Sequence, residues 1–185
     1  MPTSALQFES KLITFCAPTL TKLKTGSIFN IETEFEDLDE CIHYYNQVFN
    51  QKGISISLIH KNERFQIIYV YQHDKIKHLF ENHKCKEILD QYQYPCQNKE
   101  ECLNWLKQRM CLNEFPHEIG LFLGYPFTDV TSFINGDQHQ CIGYWKVYSH
   151  VSQAQKTFDR YRKCTCEMKR RFYNGKRIEE LIRYI

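Results

Sequence analysis

The sequence is poor in glycine and contains no long apolar run. Seven glycines occur among 185 residues, and they form neither the G-x-G-x-x-G nor the G-x-x-x-x-G-K pattern of loops that cradle phosphates. Every apolar run stays well short of the ~20 residues that a membrane-spanning helix needs. The first residues lack the basic segment and following apolar run of a secretory signal. These absences argue against a glycine-loop nucleotide site and a membrane partner, and we expect a soluble, cytoplasmic protein.

The cysteines bear on both the cellular compartment and metal binding. Nine cysteines are an odd number, and without a secretion signal this count favours free thiols in a reducing cytoplasm. A cluster in the middle of the chain lacks the short paired spacing of zinc ribbons and fingers. We therefore expect no metal site, and the sequence identifies no cofactor. The members of that cluster are Cys96, Cys102, Cys111 and His117.

The composition predicts one folded domain over residues 1–185. The apolar share is 42% and the aromatic share 15%, which is enough large side chain to build a core and to argue against disorder. Predicted helices and hairpin strands are mixed without a strict strand–helix–strand alternation. This pattern favours an α+β fold, with a small antiparallel or mixed sheet of about four strands covered by several helices.

Two strands, at residues 54–60 and 65–71, are the clearest predicted elements, and a polar hairpin loop joins them. The second strand is apolar on both faces, which favours a central position in the sheet. Because the residue before a proline avoids helical geometry, Pro18 predicts that the first helix ends near residue 16. The other predicted elements are a strand at 27–31, helices at 37–51, 74–92, 98–110, 116–124, 126–136 and 152–173, and a strand at 141–148.

Residues 115–148 concentrate special residue types more than any other part of the chain. They hold four of the seven glycines, two of the five prolines and one of the two tryptophans. A strand through its last part would place Tyr144, Lys146 and Tyr148 on one face, where rings and an ammonium group can bind a planar ligand. With Tyr125 they form the candidate ligand-binding set. The alternative is a strand with its tryptophan in the core and an amphipathic rim.

Cys16 and His117 form a candidate catalytic pair. Cys16 lies at a proline-defined break, and His117 follows Pro116 in the first turn of a predicted helix, whose N-terminus would stabilise a thiolate. If the fold brought them together, Glu118 could orient the histidine in a thiol enzyme. This hypothesis predicts rapid alkylation of Cys16 near neutral pH. The alternative is a buried cysteine and a local helix cap.

The charge of the chain is unevenly distributed. Residues 151–185 contain ten Lys or Arg and four Asp or Glu, whereas the whole chain carries a net charge of only +2. A basic segment at residues 156–177 would bind nucleic acid with an affinity that falls steeply with salt. The alternative is a solvated, basic helix face. A nucleic-acid partner therefore stays an alternative for this segment alone.

Three motifs stand out together: Cys16–Leu20, Pro116–Pro126 with Asp129, Val130, Phe133 and Ile134, and Gly143–Tyr148. They resemble one uncharacterised family of clostridia and related Firmicutes, catalogued as a numbered domain of unknown function. Its members often have His where this chain has Phe15, which weakens any mechanism that needs a histidine next to Cys16. The resemblance implies a small, single-domain cytoplasmic protein, implies no reaction, and hints at iron, haem or redox physiology in anaerobes.

We therefore expect a cytoplasmic binding or accessory protein whose ligand surface combines the His117 region with the strand carrying Tyr144 and Lys146. Its partner is an unidentified small molecule or protein. This expectation depends on aromatic and polar groups that cluster without a complete catalytic set. Whether the protein is an enzyme stays open, with the thiol enzyme and the nucleic-acid-binding protein as alternatives.

Overall fold

The structure is a computed structural model that describes residues 2–112 and 114–183. The chain divides into two compact units. The first contains residues up to 73 together with residues from 161 onward, and the second contains residues 74–160. The prediction of one domain over residues 1–185 stays a prediction.

A three-stranded antiparallel sheet lies at the centre of the first unit. Its strands are β1 (Gly26–Glu32), β2 (Ile54–Lys61) and β3 (Phe65–Gln72), in the order β1-β3-β2. The register pairs Ile28 with Tyr69 and Ile56 with Val70. The predicted hairpin and the central position of β3 are confirmed, because a strand with apolar side chains on both faces can be buried on both sides.

Two helices cover one face of this sheet. They are α1 (Ala5–Leu20) and α2 (Leu38–Phe49), and a short 3-10 turn at Asn50–Lys52 follows α2. The ring of Phe8 in α1 lies 6.4 Å from that of Phe29 in β1. The side chain of Asn46 in α2 both donates to the carbonyl of Ile56 and accepts from its N–H, each at 2.8 Å. Apolar packing and this amide pair therefore fix the helices on the sheet.

Helix α1 continues past the proline that was predicted to end it. Pro18 lies inside the helix, which runs to Leu20. Proline is compatible with helical φ, and the carbonyls around it find other donors, since the amides of Leu23 and Lys24 bond to the Pro18 carbonyl at 2.8 and 2.9 Å. The stop comes at Lys22, whose φ of 60° is left-handed. The predicted end near residue 16 was therefore wrong by one helical turn.

The C-terminal part of the first unit ties back to its N-terminal part. Helix α9 (Ile178–Arg183) follows a turn, and Arg177 at its start donates from Nε to the buried carboxylate of Glu9 at 3.0 Å. The Tyr45 hydroxyl donates to the same carboxylate oxygen at 2.7 Å. Burial and the Glu9 carboxylate raise the pKa of Tyr45, so the tyrosine stays a donor.

The second unit is mostly helical. The predicted helix at 74–92 is two helices, because Asn82 adopts an extended backbone and accepts a hydrogen bond from the N–H of Cys85, which caps a new helix. Asn98 caps the following helix as predicted, by accepting from the amides of Glu100 and Glu101. The helices are α3 (His73–Glu81), α4 (His83–Gln91), α5 (Lys99–Met110), α6 (Ile119–Phe122) and α7 (Phe127–Ile134).

A small hairpin replaces the predicted strand at 141–148. Strands β4 (Cys141–Ile142) and β5 (Lys146–Val147) are antiparallel, and the amide of Gly143 bonds to the Trp145 carbonyl at 3.0 Å. Because the chain reverses here, the simple alternation of faces through residue 148 was wrong. Helix α8 (Val151–Tyr173) follows the hairpin and contributes to both units.

The α+β class is confirmed, with a small antiparallel sheet, a separate hairpin and predominantly helical surroundings. Across residues 2–112 and 114–183, no helix combines the length and the apolar character that crossing a bilayer requires.

Candidate functional site

Asp129 anchors the hairpin of the second unit to helix α7. Its side chain is buried, with 3% exposure. Oδ2 accepts from the indole N–H of Trp145 at 2.7 Å, and Oδ1 accepts from the backbone N–H groups of Tyr148 and Ser149 at 3.0 and 3.2 Å. An ionised carboxylate only accepts hydrogen bonds, so all three donors converge on it. The Asp129 side chain thus positions both ends of β5, the return strand of the hairpin.

One helical turn beyond Asp129, Phe133 brings together two of the predicted site residues. The ring of His117 lies 4.7 Å from the Phe133 ring, edge to face at 86°, and Nζ of Lys146 lies 4.9 Å from the centroid of the same ring. His117 and Lys146 are exposed and Phe133 is half-buried. We call His117, Phe133 and Lys146 the Phe133 surface. It presents an aromatic ring, an imidazole and an ammonium group to solvent.

The other predicted aromatic residues support the hairpin. Tyr125 stacks on Trp145 with ring centroids 5.2 Å apart, and Trp145 meets Phe158 of α8 edge to face at 4.5 Å. Tyr144, which is exposed, lies 5.7 Å from the same phenylalanine ring. A Cβ on Gly143 would come within 2.1 Å of Phe158. The close approach of backbone to ring explains why glycine stands at the hairpin turn.

Tyr148 directly follows strand β5 of the hairpin. Its ring meets that of His139 edge to face at 6.3 Å. Burial, together with the negative charges of Asp137 and Asp129, raises the pKa of Tyr148. The hydroxyl is therefore protonated at neutral pH and available as a hydrogen-bond donor.

Glu118 faces the core of the second unit, whereas its neighbour His117 faces solvent. The Glu118 carboxylate is fully buried. It accepts hydrogen bonds from the Tyr94 hydroxyl at 2.9 Å and from Nε and Nη2 of Arg109 at 2.9 and 3.4 Å. Burial and the carboxylate raise the pKa of Tyr94, and the hydrogen bond from Arg109 raises the pKa of that guanidinium. These contacts give Glu118 a structural role, and its hydrogen bonds go to residues other than His117.

Cys16 is buried in the core of the first unit, while His117 belongs to the second. Burial raises the pKa of the Cys16 thiol, and nearby Lys24 lowers it by less. An activated nucleophile needs the opposite shift, because the thiolate is the reactive form. Burial therefore predicts slow alkylation of Cys16 relative to the exposed Cys111 and Cys166. The thiol-enzyme hypothesis stays a prediction, which rapid alkylation of Cys16 would favour.

Lys24 is a buried amine that the sequence reasoning missed. Lys24 is only 7% exposed. Burial lowers the pKa of its amine to about 8, and Cys16 raises that pKa by a smaller amount. Below pH 8 the amine is charged in both the folded and the unfolded chain, and burying the charge costs free energy. As the pH rises from about 8 to 10.5, the folded chain binds fewer protons than the unfolded chain, so the free energy of unfolding rises.

We expect the stability difference between the natural protein and Lys24→Met to change by about 2 kcal/mol from pH 7.5 to 9.5, in favour of the natural protein at the higher pH. Urea denaturation at both pH values measures this. Comparing the two proteins cancels the ionisation of cysteines and tyrosines, which they share. Lys52→Met, at an exposed position, controls for the loss of one lysine. A difference independent of pH would contradict the lowered pKa.

The basic segment 156–177 is largely exposed, but several of its charges are paired. Glu167 accepts from Arg170 at 2.8 and 2.9 Å and from Arg171 at 2.7 Å. The hydrogen bonds from Arg170 and Arg171 lower the pKa of Glu167 to about 2. Lys156 and Lys163, earlier in the same helix, are exposed. Nucleic-acid binding by this segment stays a prediction, since exposed charge alone is also typical of a solvated helix.

Within the part of the chain that the structure describes, no three His, Cys, Asp or Glu side chains are grouped as a metal site would require.

The fold and the Phe133 surface define a small α+β protein that carries an open aromatic and cationic surface on its helical unit. The chain belongs to the family described as "Protein of unknown function (DUF3793)", whose model matches residues 12–182. The resemblance to a domain-of-unknown-function family is thereby confirmed. No curated protein and no solved structure gives a significant match to the chain.

Three residues that organise the site were not predicted as site residues, namely Asp129, Phe133 and Arg109. Asp129 and Phe133 stand four residues apart, so they lie on one face of α7, but their partners are remote in sequence. Arg109 carries no local signal, because an arginine in the last turn of a helix is ordinarily a surface residue. The i, i+4 spacing of Asp129 and Phe133 beside a tryptophan-containing strand was the signal that could have identified the first two.

Proposed function

We propose that the protein is a cytoplasmic binding or accessory protein that holds a planar, negatively charged ligand on the Phe133 surface. One observation carries this proposal. The exposed side chains of His117 and Lys146 both contact the half-buried ring of Phe133. Two nitrogen-bearing groups beside one aromatic ring match a ligand that combines a flat ring system with a carboxylate or phosphate.

The chemistry of the three side chains supports this ligand class. The Lys146 ammonium offers hydrogen-bond donors, and the His117 imidazole adds an N–H donor. An aromatic ring favours stacking with a planar molecule over contact with water. Tyr144 exposes a further ring on the same hairpin. Aromatic and cationic contacts of this kind contribute about 0.5–3 kcal/mol each to binding.

The rigid support of the surface is a second argument for binding. Phe133 and the anchor Asp129 belong to one helix, and Asp129 fixes the return strand that carries Lys146. A site whose side chains are already held in place loses less entropy when a ligand binds. Iron, haem or redox physiology, which the family resemblance hints at, is consistent with planar anionic ligands such as haem and flavin mononucleotide.

Haemin and flavin mononucleotide are therefore the first probes. We expect one of them to bind the purified protein, followed by haemin absorbance or flavin fluorescence. The double substitution His117→Ala/Lys146→Ala should weaken that binding about 10- to 100-fold, because each tenfold corresponds to about 1.4 kcal/mol. Both side chains are exposed, so the fold should be unaffected.

The matched control removes the same two residue types elsewhere on the second unit. His83→Ala/Lys84→Ala changes an exposed histidine and an exposed lysine at the start of α4. It should bind the probe as the natural protein does. Equal binding by both double variants, or no binding of either probe, would count against the proposed surface.

A further inference from the structure

The three-stranded sheet of the first unit has two edges, β1 and β2, on either side of β3. An edge strand presents a row of main-chain N–H and C=O groups that can pair with another chain, and proteins commonly cover or interrupt such an edge. The two edges of this sheet differ in how well they are protected.

The edge at β2 is closed by a side chain. The amide of Asn46 in α2 bonds to both the C=O and the N–H of Ile56 at 2.8 Å, so it takes the place of a neighbouring strand at that point. An irregularity in the register between Leu58 and His60 also interrupts this edge, and bulges hinder pairing with another strand. Strand β2 is therefore unsuited to pairing with a further chain.

The main-chain groups on the outer side of β1 belong to Ile28 and Asn30. Just before the strand, the amide of Gln72 bonds to the Thr25 carbonyl at 3.0 Å. In an antiparallel ladder, residues alternate between facing the partner strand and facing away from it. Since Thr25 faces β3 and the register of β1 is continuous, the N–H and C=O groups of Ile28 and Asn30 point away from β3.

This outer side of β1 is open and lies beside an exposed aromatic ring. Across residues 2–112 and 114–183, no hydrogen bond joins the main-chain groups of Ile28 or Asn30 to another segment. Asn30 is exposed and Ile28 is half-buried. Phe15 of α1 is 50% exposed, and its ring stacks on that of Phe29 in β1 with centroids 5.5 Å apart. Aromatic side chains are enriched in protein–protein interfaces, so the edge and the ring together suit a protein partner.

The charges on either side of β1 favour a second copy of the chain in antiparallel orientation. Lys22 precedes the strand, Glu34 and Glu36 follow it, and all three are exposed. Two antiparallel copies of β1 bring the residues before the strand in one copy toward those after it in the other. Opposite charges then approach at both ends, whereas a parallel arrangement would bring like charges together, which is unfavourable.

We infer that two copies of this protein associate through β1, which joins their three-stranded sheets into one antiparallel sheet of six strands. A two-fold contact centred on Phe29 pairs Ile28 of each copy with Asn30 of the other, so the outward N–H and C=O groups of both residues exchange hydrogen bonds. The same symmetry brings the exposed Phe15 rings of the two copies toward each other. All these residues belong to the first unit, so the inference does not rest on the Phe133 surface.

Sedimentation equilibrium under reducing conditions measures this association. The natural protein should form dimers as its concentration rises from about 1 µM to 1 mM, and added salt should weaken them because it screens exposed charges. Asn30→Pro removes an N–H that is not part of the ladder with β3, and edge strands tolerate proline at such positions. By symmetry the dimer loses two hydrogen bonds, so its Kd should rise about tenfold or more.

Asn30→Thr is the matched control, because it removes the same side chain, keeps the N–H and suits a strand. It should dimerise as the natural protein does. Phe15→Ser, at an exposed position of α1, should also weaken the dimer, and it tests the contact without altering β1. A natural protein that stays monomeric up to the highest concentration would overturn the inference. So would a dimer that both Asn30→Pro and Phe15→Ser leave intact, because it would have to use another surface.

Discussion

Replacing Arg109 by methionine is expected to destabilise the protein by about 3–5 kcal/mol, since it leaves a buried carboxylate without its counter-ion. Glu118 is fully buried, and its oxygens depend on the Tyr94 hydroxyl and two nitrogens of Arg109. The guanidinium also lies 4.9 Å from the Tyr92 ring centroid, so part of the loss comes from packing. Urea denaturation of the two proteins at neutral pH measures the change.

A second arginine provides the comparison. Arg170→Met breaks an ion pair with Glu167 whose members are both substantially exposed, and such pairs contribute little. The unfolding midpoint should therefore hardly move. Adding Glu118→Gln to Arg109→Met removes the stranded charge and should recover part of the lost stability. Similar midpoints for Arg109→Met and Arg170→Met would contradict a stabilising role for the buried pair.

Replacing Asp129 by alanine is expected to cost about 3 kcal/mol and to release the hairpin from helix α7. Three donors, on Trp145, Tyr148 and Ser149, converge on this carboxylate. Each buried donor left without an acceptor costs about 1–3 kcal/mol, less where water reaches it. Asp129→Asn should lie between, because an amide accepts through one atom only and turns a donor toward the others.

Trp145 gives a direct measurement of this release. In a Trp105→Phe background Trp145 is the remaining tryptophan, and freeing its indole from Asp129 and Tyr125 should shift its fluorescence to longer wavelength. The control for losing one negative charge is Asp137→Asn, at an exposed position seven residues before Tyr144. It should leave both the spectrum and the stability nearly unchanged. An unshifted spectrum in Asp129→Ala would show that other contacts hold the hairpin.

The same substitution should also remove binding at the Phe133 surface. Lys146 lies on the strand that Asp129 holds, whereas His117 lies outside it. Loss of the carboxylate would therefore separate the ammonium group from the Phe133 ring without changing either side chain. Probe binding should fall in Asp129→Ala and persist in Asp137→Asn.

Local patterns in the sequence were enough to predict much of the fold. The alternation along β3 predicted a central strand, and an asparagine before an amphipathic run predicted the cap of α5. Both depend on residues close together in the chain. The split of α3 and α4 at Asn82 was missed, since an asparagine inside an apolar helical pattern is ordinarily tolerated.

The candidate site was less predictable, because its geometry depends on contacts that are distant in sequence. The turn at Gly143 depends on the close approach of its backbone to the Phe158 ring, fifteen residues later in the chain. No strand pattern contains that information. His117, Lys146 and Tyr125 were identified by residue type, while their grouping required helix α7. Glu118 was offered as an orienting group for His117, and in the structure its carboxylate accepts hydrogen bonds from Arg109 and Tyr94.

The bond between Glu9 and Arg177 has a consequence for how the protein is made. These residues are 168 positions apart, and the first unit needs segments from both sides of the second. A ribosome therefore completes the whole contiguous second unit before Arg177 has been synthesised. Domains generally fold as units while the chain emerges, so residues 74–160 can fold first. Until Arg177 arrives, the nascent first unit holds a carboxylate that lacks its counter-ion, and this part of the protein matures last.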